Sequence, residues 1–145
     1  MRIKEFIGKE GEARIVAAIQ AAELHTSGEI RVHIESKCPG EVLDRAVYVF
    51  NYLKMYKTEA RNGVLIYIAV DSRKLAIIGD SGINEKVPAT FWDAIKQKMG
   101  VAFAAGQYVD GLCTAIEEAG ISLKTYFPYR KDDINEQPDE ISFGN

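Results

Sequence analysis

Residues 64–70 read VLIYIAV, seven apolar side chains in a row that are rich in β-branched and aromatic types. A run that short, with polar turn formers on both sides, predicts a strand buried on both faces. Asp71-Ser72-Arg73-Lys74 supplies a turn, and residues 75–78 (LAII) return as an antiparallel partner. The two strands form a hairpin whose faces both need a cover. Upstream, residues 29–35 alternate, with Ile30, Val32 and Ile34 on one side and Glu29, Arg31, His33 and Glu35 on the other. A period of two with one polar side predicts a strand placed nearer a sheet edge.

Between and around these strands the period changes to that of a helix. Ile15, Val16, Ile19 and Ala22 share one face of a helix over residues 10–25, which Thr26-Ser27-Gly28 stops. Leu43, Ala46, Val47, Phe50 and Leu53 do the same over residues 41–56. Strand, helix and buried strand in succession predict a right-handed βαβ unit with parallel strands. Pro88 suits the first turn of a further helix, whose stripe is Trp92, Ile95, Met99, Ala102 and Phe103. Gly106 breaks it, and a last helix carries Val109, Leu112, Cys113, Ile116, Leu123 and Phe127. Gly111 and Gly120 inside that helix each cost about 1 kcal/mol against alanine, which predicts close packing at both. The pattern is that of an α/β domain over residues 1–128: a small mixed sheet with a central hairpin and about four helices. Residues 129–145 are expected to be an acidic, mobile tail.

Composition sharpens this picture in three places. With 145 residues, 47% hydrophobic and 27% charged, the chain is one globular domain with a real core. The formal charge of −3 is uneven, because no Lys or Arg follows Lys131 while five acids do, leaving residues 1–131 with 18 basic against 16 acidic side chains. Nothing in that balance resembles a nucleic-acid footprint. Cys38 and Cys113 lack ligand spacing for zinc and do not make a disulfide framework. No window approaches the roughly 20 apolar residues of a membrane span, so the cytoplasm is the expected compartment.

Candidate chemistry is confined to a few groups. Gly79-Asp80-Ser81-Gly82 looks like a protease nucleophile loop, but His25 and His33 are the only histidines and neither is placed to serve a triad. The carboxylates are stronger candidates. Asp71 at the hairpin tip and Asp80 at its other end lie on the order of 20 Å apart, so they cannot share an ion. One candidate site lies at the carboxyl end of the parallel strands, where ligands of open α/β sheets gather, with Asp71, residues 38–44 and the approach of Asp110. The other combines Asp80 with Glu29, Arg61 and Asn62. Ca²⁺ or Mg²⁺ suits oxygen donors at either end, although turn or cap duty explains each Asp taken singly. Tyr48, Tyr52 and Tyr56 crowd the second helix, where packing on the core flank is the plainer reading and an interface the sharper one.

The segments TSGEIRVHI, RNGVLIYIA, RKLAIIGDSGI, FAAGQYVDGLCTAI and LKTYFP, taken in order, resemble the TPM domain family, and the likeness runs from about Ile7 to Pro128. The resemblance implies a three-layer α/β/α sandwich with a Rossmann-like sheet, in the short soluble bacterial type. It also implies two functions. One is a non-catalytic interaction or accessory module with a protein partner, which can itself be membrane-anchored, and with a divalent cation. The other is a metal-dependent acid phosphatase acting on phosphomonoesters. Carried onto this chain, the metal candidates are Asp71 and Asp110 at one end and Asp80 and Glu29 at the other. Arg73, Arg61 and Asn62 are then the groups that meet a phosphate or a partner. Because likeness of fold does not transmit chemistry, the interaction module is the favoured expectation.

Overall fold

The computed structural model describes residues 3–130 and 135–144. The elements run α1 (Ile3–Ala22), β1 (Glu29–Glu35), α2 (Val42–Tyr52), β2 (Gly63–Ala69), β3 (Lys74–Gly79), α3 (Ser81–Asn84), α4 (Asp93–Ala104), α5 (Tyr108–Leu123) and β4 (Ser142–Phe143). They form one four-stranded sheet in the order β3-β2-β1-β4. β1 and β2 are parallel over seven residues, and β2 and β3 are antiparallel from Val64↔Gly79 to Ala69↔Lys74. The expected βαβ unit and hairpin are both present. Asp71 and Asp80 stand at opposite ends of that hairpin, as its register requires.

Helices cover both faces, which makes the α/β/α sandwich. Val64, Ile66 and Ile68 of β2, with Ile30, Val32 and Ile34 of β1, pack against the helices α1, α4 and α5. The alternate residues Leu65, Tyr67 and Ala69 pack against Ala46, Val49 and Phe50 of α2. The large layer is tight at the predicted glycines. A Cβ on Gly111 would sit 2.8 Å from Ala102 Cβ, and one on Gly120 would sit 2.9 Å from Ala22 Cβ. No helix among the described residues is long and apolar enough to cross a membrane.

Several expectations need correction. β1 is not an edge strand with a wet face. It lies between β2 and β4, and Glu29, His33 and Glu35 are all buried. The segment after Pro128, expected to be mobile, is packed on the domain where it is described. Ile141 is 7% exposed, Gln137 is buried, and Ser142 and Phe143 pair in parallel with His33 and Ile34. Asp132 and Asp133, which belonged to the same expectation, lie outside the described residues. α1 begins earlier than residue 10 and bends at Gly8 (φ 77°), which lets Ile3 and Ile7 join the core. Pro88 precedes α4 instead of opening it, since turns from Pro88 to Phe91 and from Thr90 to Asp93 intervene. On α2, Leu43 and Val47 are exposed instead of buried, because only a narrow stripe of that helix meets the sheet.

The helix not foreseen is the single turn α3. Asp80 caps it by accepting from the Ser81 N–H, and the Gly82 N–H donates to the Arg61 carbonyl at 2.9 Å. A Cβ on Gly82 would sit 2.1 Å from the Ala60 carbonyl oxygen and 2.7 Å from that of Arg61, both rigid backbone. Gly82→Ala is therefore expected to cost about 2–3 kcal/mol in urea denaturation. Gly100→Ala is the control, since its Cβ meets nothing within 4 Å; it should be neutral or stabilise by up to about 1 kcal/mol.

Candidate functional site

At the α3 end, the grouping read from sequence divides into two. Arg61, held at φ 50°, donates from Nε and Nη2 to the two carboxylate oxygens of Asp80 at 2.7 and 2.9 Å. The same carboxylate accepts from the Ser81 N–H at 2.7 Å, so Asp80 is fully engaged as a cap and ion-pair partner. Glu29 turns the other way. Its Oε1 accepts from the backbone N–H groups of Glu136 and Gln137. Asn62 tethers the loop between them: its carbonyl accepts from the Glu29 N–H and its Nδ2 donates to the Ser27 carbonyl at 3.3 Å. Asn62 Oδ1 is buried and has no hydrogen-bond partner among the described residues.

The other end is equally dispersed. Asp71 accepts from the Ser36 hydroxyl and its N–H donates to the Ser36 carbonyl, which ties the hairpin tip to the end of β1. Asp110 lies in the first turn of α5 but pairs with Arg14 of α1 at 2.6 Å. The two aspartates do not converge. Among the described residues, no three His, Cys, Asp or Glu side chains are arranged to hold a metal ion. The donor sets Asp71–Asp110 and Asp80–Glu29 therefore do not fit a resident cation. Arg73 does face a cavity. With Lys74 it lines a cleft of about 250 Å³ at the carboxyl end of β2, closed by Leu75, Phe103 and Tyr108.

Two clusters escaped sequence reading. Glu23, Glu29 and Asp139 line a pocket of about 210 Å³ where the C-terminal segment crosses the α1–β1 connection. Burial first, then Asp139 and Glu29, push the Glu23 carboxyl up to about 10. Burial pushes Glu29 up to about 7 against the lowering effect of the Glu136 and Gln137 amides. Glu23 offered no signal, because it reads as the polar side of an ordinary helix end.

The second cluster centres on Glu35. Burial would raise this carboxyl, but Arg45, Tyr67 and His33 outweigh it and hold it at about 2. Arg45 makes a forked pair at 2.9 and 2.8 Å, the Tyr67 hydroxyl donates to Oε2, and His33 Nε2 lies 3.3 Å from Oε1. His33 stacks on Tyr67 and meets the Ser142 hydroxyl through Nδ1 at 2.8 Å. Burial lowers the His33 pKa, which favours the neutral ring. The one available signal was a tyrosine in an otherwise aliphatic strand opposite a His and a Glu two residues apart. With every oxygen of Glu35 occupied, this is a structural junction.

The outer face of α2 is the most exposed apolar surface near these groups. Leu43 (54%) and Val47 (50%) form one row, and Tyr48 (57%) and Tyr52 (73%) a second beside it. The two tyrosine rings stack with centroids 6.2 Å apart, and the Arg45 guanidinium lies 5.0 Å from the Tyr48 ring. Flank packing, the plainer expectation for these tyrosines, does not hold for Tyr48 or Tyr52.

The comparisons with known proteins agree with this architecture. A family profile described as the TPM domain matches residues 3–120. The BA42 protein of the psychrophilic bacterium Bizionia argentinensis, solved by NMR, is 48% identical over 99% of each chain, with a TM-score of 0.92. The N-terminal domain of the cg2496 protein from Corynebacterium glutamicum is 14% identical, covering 94% of this chain and 79% of its own, with a TM-score of 0.59. That second likeness is one of fold alone. No curated protein matches.

Replacing Glu35 tests the junction. Glu35→Gln removes the charge opposite Arg45 while keeping the shape, and is expected to lose about 2–4 kcal/mol of unfolding free energy. Because the native carboxyl titrates near 2, below its unfolded value, the wild-type contribution is present above about pH 4.5 and is lost as pH falls toward 2. Urea titrations of both proteins from pH 7 down to about pH 3 should therefore show the gap between them narrowing below about pH 4.5.

Proposed function

The chain belongs to the TPM domain family, and from that premise we propose that it works as a non-catalytic interaction module whose contact surface is the outer face of α2. The observation that carries this reading is the exposure of Leu43, Val47, Tyr48 and Tyr52 on one short helix. Their two rows meet across Val47 and Tyr48, forming a patch on the order of a few hundred Å², the scale at which exposed apolar surface marks a contact site. Tyrosines of this kind are preferred anchors, since they bury a large rigid ring and keep a polar tip. The partner that fits is a protein presenting an apolar helical face with acceptors for the two phenols. Support comes also from the charged groups that a phosphatase would need, because Asp71, Asp80, Asp110 and Arg61 are each already joined to a neighbour within the fold.

A second reading concerns a divalent cation, and its support is that Glu23, Glu29 and Asp139 line one pocket, although as they stand they are not arranged to hold an ion. Burial raises the proton affinities of Glu23 and Glu29, so ionising the two together is costly. A hard cation with oxygen ligands is the chemical alternative to those protons once the side chains re-aim. Bound there, it would fasten the C-terminal segment to the α1–β1 connection and leave α2 untouched.

Two experiments follow. In the first, purified wild-type chain and the Val47→Glu and Tyr52→Glu variants are used as bait, and any protein recovered by wild type alone is purified and titrated back. The expected result is direct binding that each variant weakens about tenfold or more, with Ile121→Glu, on α5, as an unaffected surface control. Recovery of nothing that the variants lose, together with turnover of a generic phosphomonoester, would overturn the reading. In the second, amide exchange of residues 135–144 is followed from about pH 5 to about pH 9. Both glutamates have native pKa values above their unfolded ones, so their stabilising contribution is complete at low pH and fades as pH rises through about 7 for Glu29 and about 10 for Glu23. Exchange should quicken with pH beyond its intrinsic dependence, and millimolar Ca²⁺ should reverse this above neutrality. An unchanged profile in Glu23→Gln with no response to Ca²⁺ would sink the cation reading.

A further inference from the structure

The cleft at the hairpin tip has features that neither the α2 face nor the carboxylate crossing uses. It lies between the carboxyl end of β2, the tip residues Arg73 and Lys74, the later turns of α4 and the first residue of α5. Its apolar wall includes Phe103 and Tyr108, whose rings stack with centroids 5.0 Å apart and planes 22° from parallel. At about 250 Å³ it is smaller than the usual site for a drug-sized molecule, so it suits a ligand built around a single ring or a short branched chain.

The charge at its mouth is one-sided. Arg14, Arg45 and Arg61 are each neutralised by a carboxylate elsewhere in the fold. Arg73 and Lys74 are exposed, line the cleft, and form no ion pair with a described residue. The nearby acids are turned away, Asp71 toward Ser36 and Asp110 toward Arg14. α5 opens at Tyr108 and α4 ends at Ala104 in the same lining, so the partial charges of the two helix ends offset and the net charge comes from Arg73 and Lys74. Arg73 also sits at φ 54°, a conformation that glycine or asparagine takes at lower cost. A tip required only to turn would be better served by either of those.

We propose that this cleft binds a small amphipathic anion, with a ring or branched aliphatic body against Phe103 and Tyr108 and a carboxylate or phosphate held by Arg73 and Lys74. Paired cationic donors give charge-assisted hydrogen bonds to either oxyanion, and the apolar wall rewards the body that carries it. The assignment does not depend on the α2 face, which covers the opposite side of the sheet.

The test is an amide NMR titration of the full chain with phenyl phosphate, phenylacetate, inorganic phosphate and benzyl alcohol. Saturable shifts around Val70, Leu75 and Tyr108 are expected from at least one aryl anion, and which of the two identifies the oxyanion. Inorganic phosphate and benzyl alcohol should bind at least about tenfold more weakly, since each lacks half of the recognition. Arg73→Gln and Lys74→Gln, both at exposed positions, should each weaken binding about five- to tenfold. Gly100→Leu should block it, because a Cβ there enters open space beside the cleft. Absence of saturable shifts with both aryl anions would overturn the proposal. So would indifference to all three substitutions, or equal binding by benzyl alcohol or inorganic phosphate. The α2 variants Val47→Glu and Tyr52→Glu should leave the titration unchanged, so this result and that for the interaction face are read separately.

Discussion

The α2 side of the sheet depends on one buried carboxylate. β1 turns Arg31, His33 and Glu35 toward α2, on the face where β2 contributes Leu65 and Tyr67. Polar groups on a buried face are costly unless matched, because an unpaired buried charge costs several kcal/mol. Arg31 Nε is buried without a hydrogen-bond partner among the described residues, so the matching on this face falls to Glu35. It receives Arg45 from α2, Tyr67 from β2 and His33 from its own strand, and His33 in turn reaches Ser142 of β4. Four elements are thus fixed in register by one side chain, and the position of Arg45 also seats Tyr48 on the exposed face.

The hydrophobic pattern was enough for β2, β3, α5 and the parallel β1–β2 pairing, since each rests on local periodicity and on short bounded connections. It could not distinguish a wet polar face from a dry, satisfied one. The alternation of Glu29, Arg31, His33 and Glu35 is the same in both cases, and the partners that make it dry come from residues 45, 67, 136, 137 and 142. The C-terminal segment was misread for a related reason. Its acidic composition suggested solvent, yet Ile141 and two backbone amides that bond Glu29 are enough to dock it. The α2 stripe failed at Leu43 and Val47 because helical period alone cannot say how wide a buried stripe the sheet will accept.

The candidate residues were legible as residues and illegible as a site. Arg61 and Asp80 were rightly placed together, but as a corner holding α3. Asp71 and Asp110 reach the same end of the sheet and then face Ser36 and Arg14, a matter of side-chain direction that element order does not encode. Arg73 was found for its type and location, while the apolar wall beside it depends on how the α4–α5 corner packs, which only the tertiary structure reveals.

The two-residue length of β4 has a consequence for the whole sheet. Only His33 and Ile34 of the seven β1 residues are paired with it, and the Gly144 N–H adds one bond to the Ile34 carbonyl. That brief pairing is what keeps β1 from being a free edge. Short edge strands of this kind are less secure than a core strand, and β1 behind it is seven residues long. Without that pairing the β1 edge would be an unpaired ladder of the kind an extended chain completes. Ser142, Phe143 and Gly144 therefore occupy ladder positions on β1 that an added strand would otherwise take.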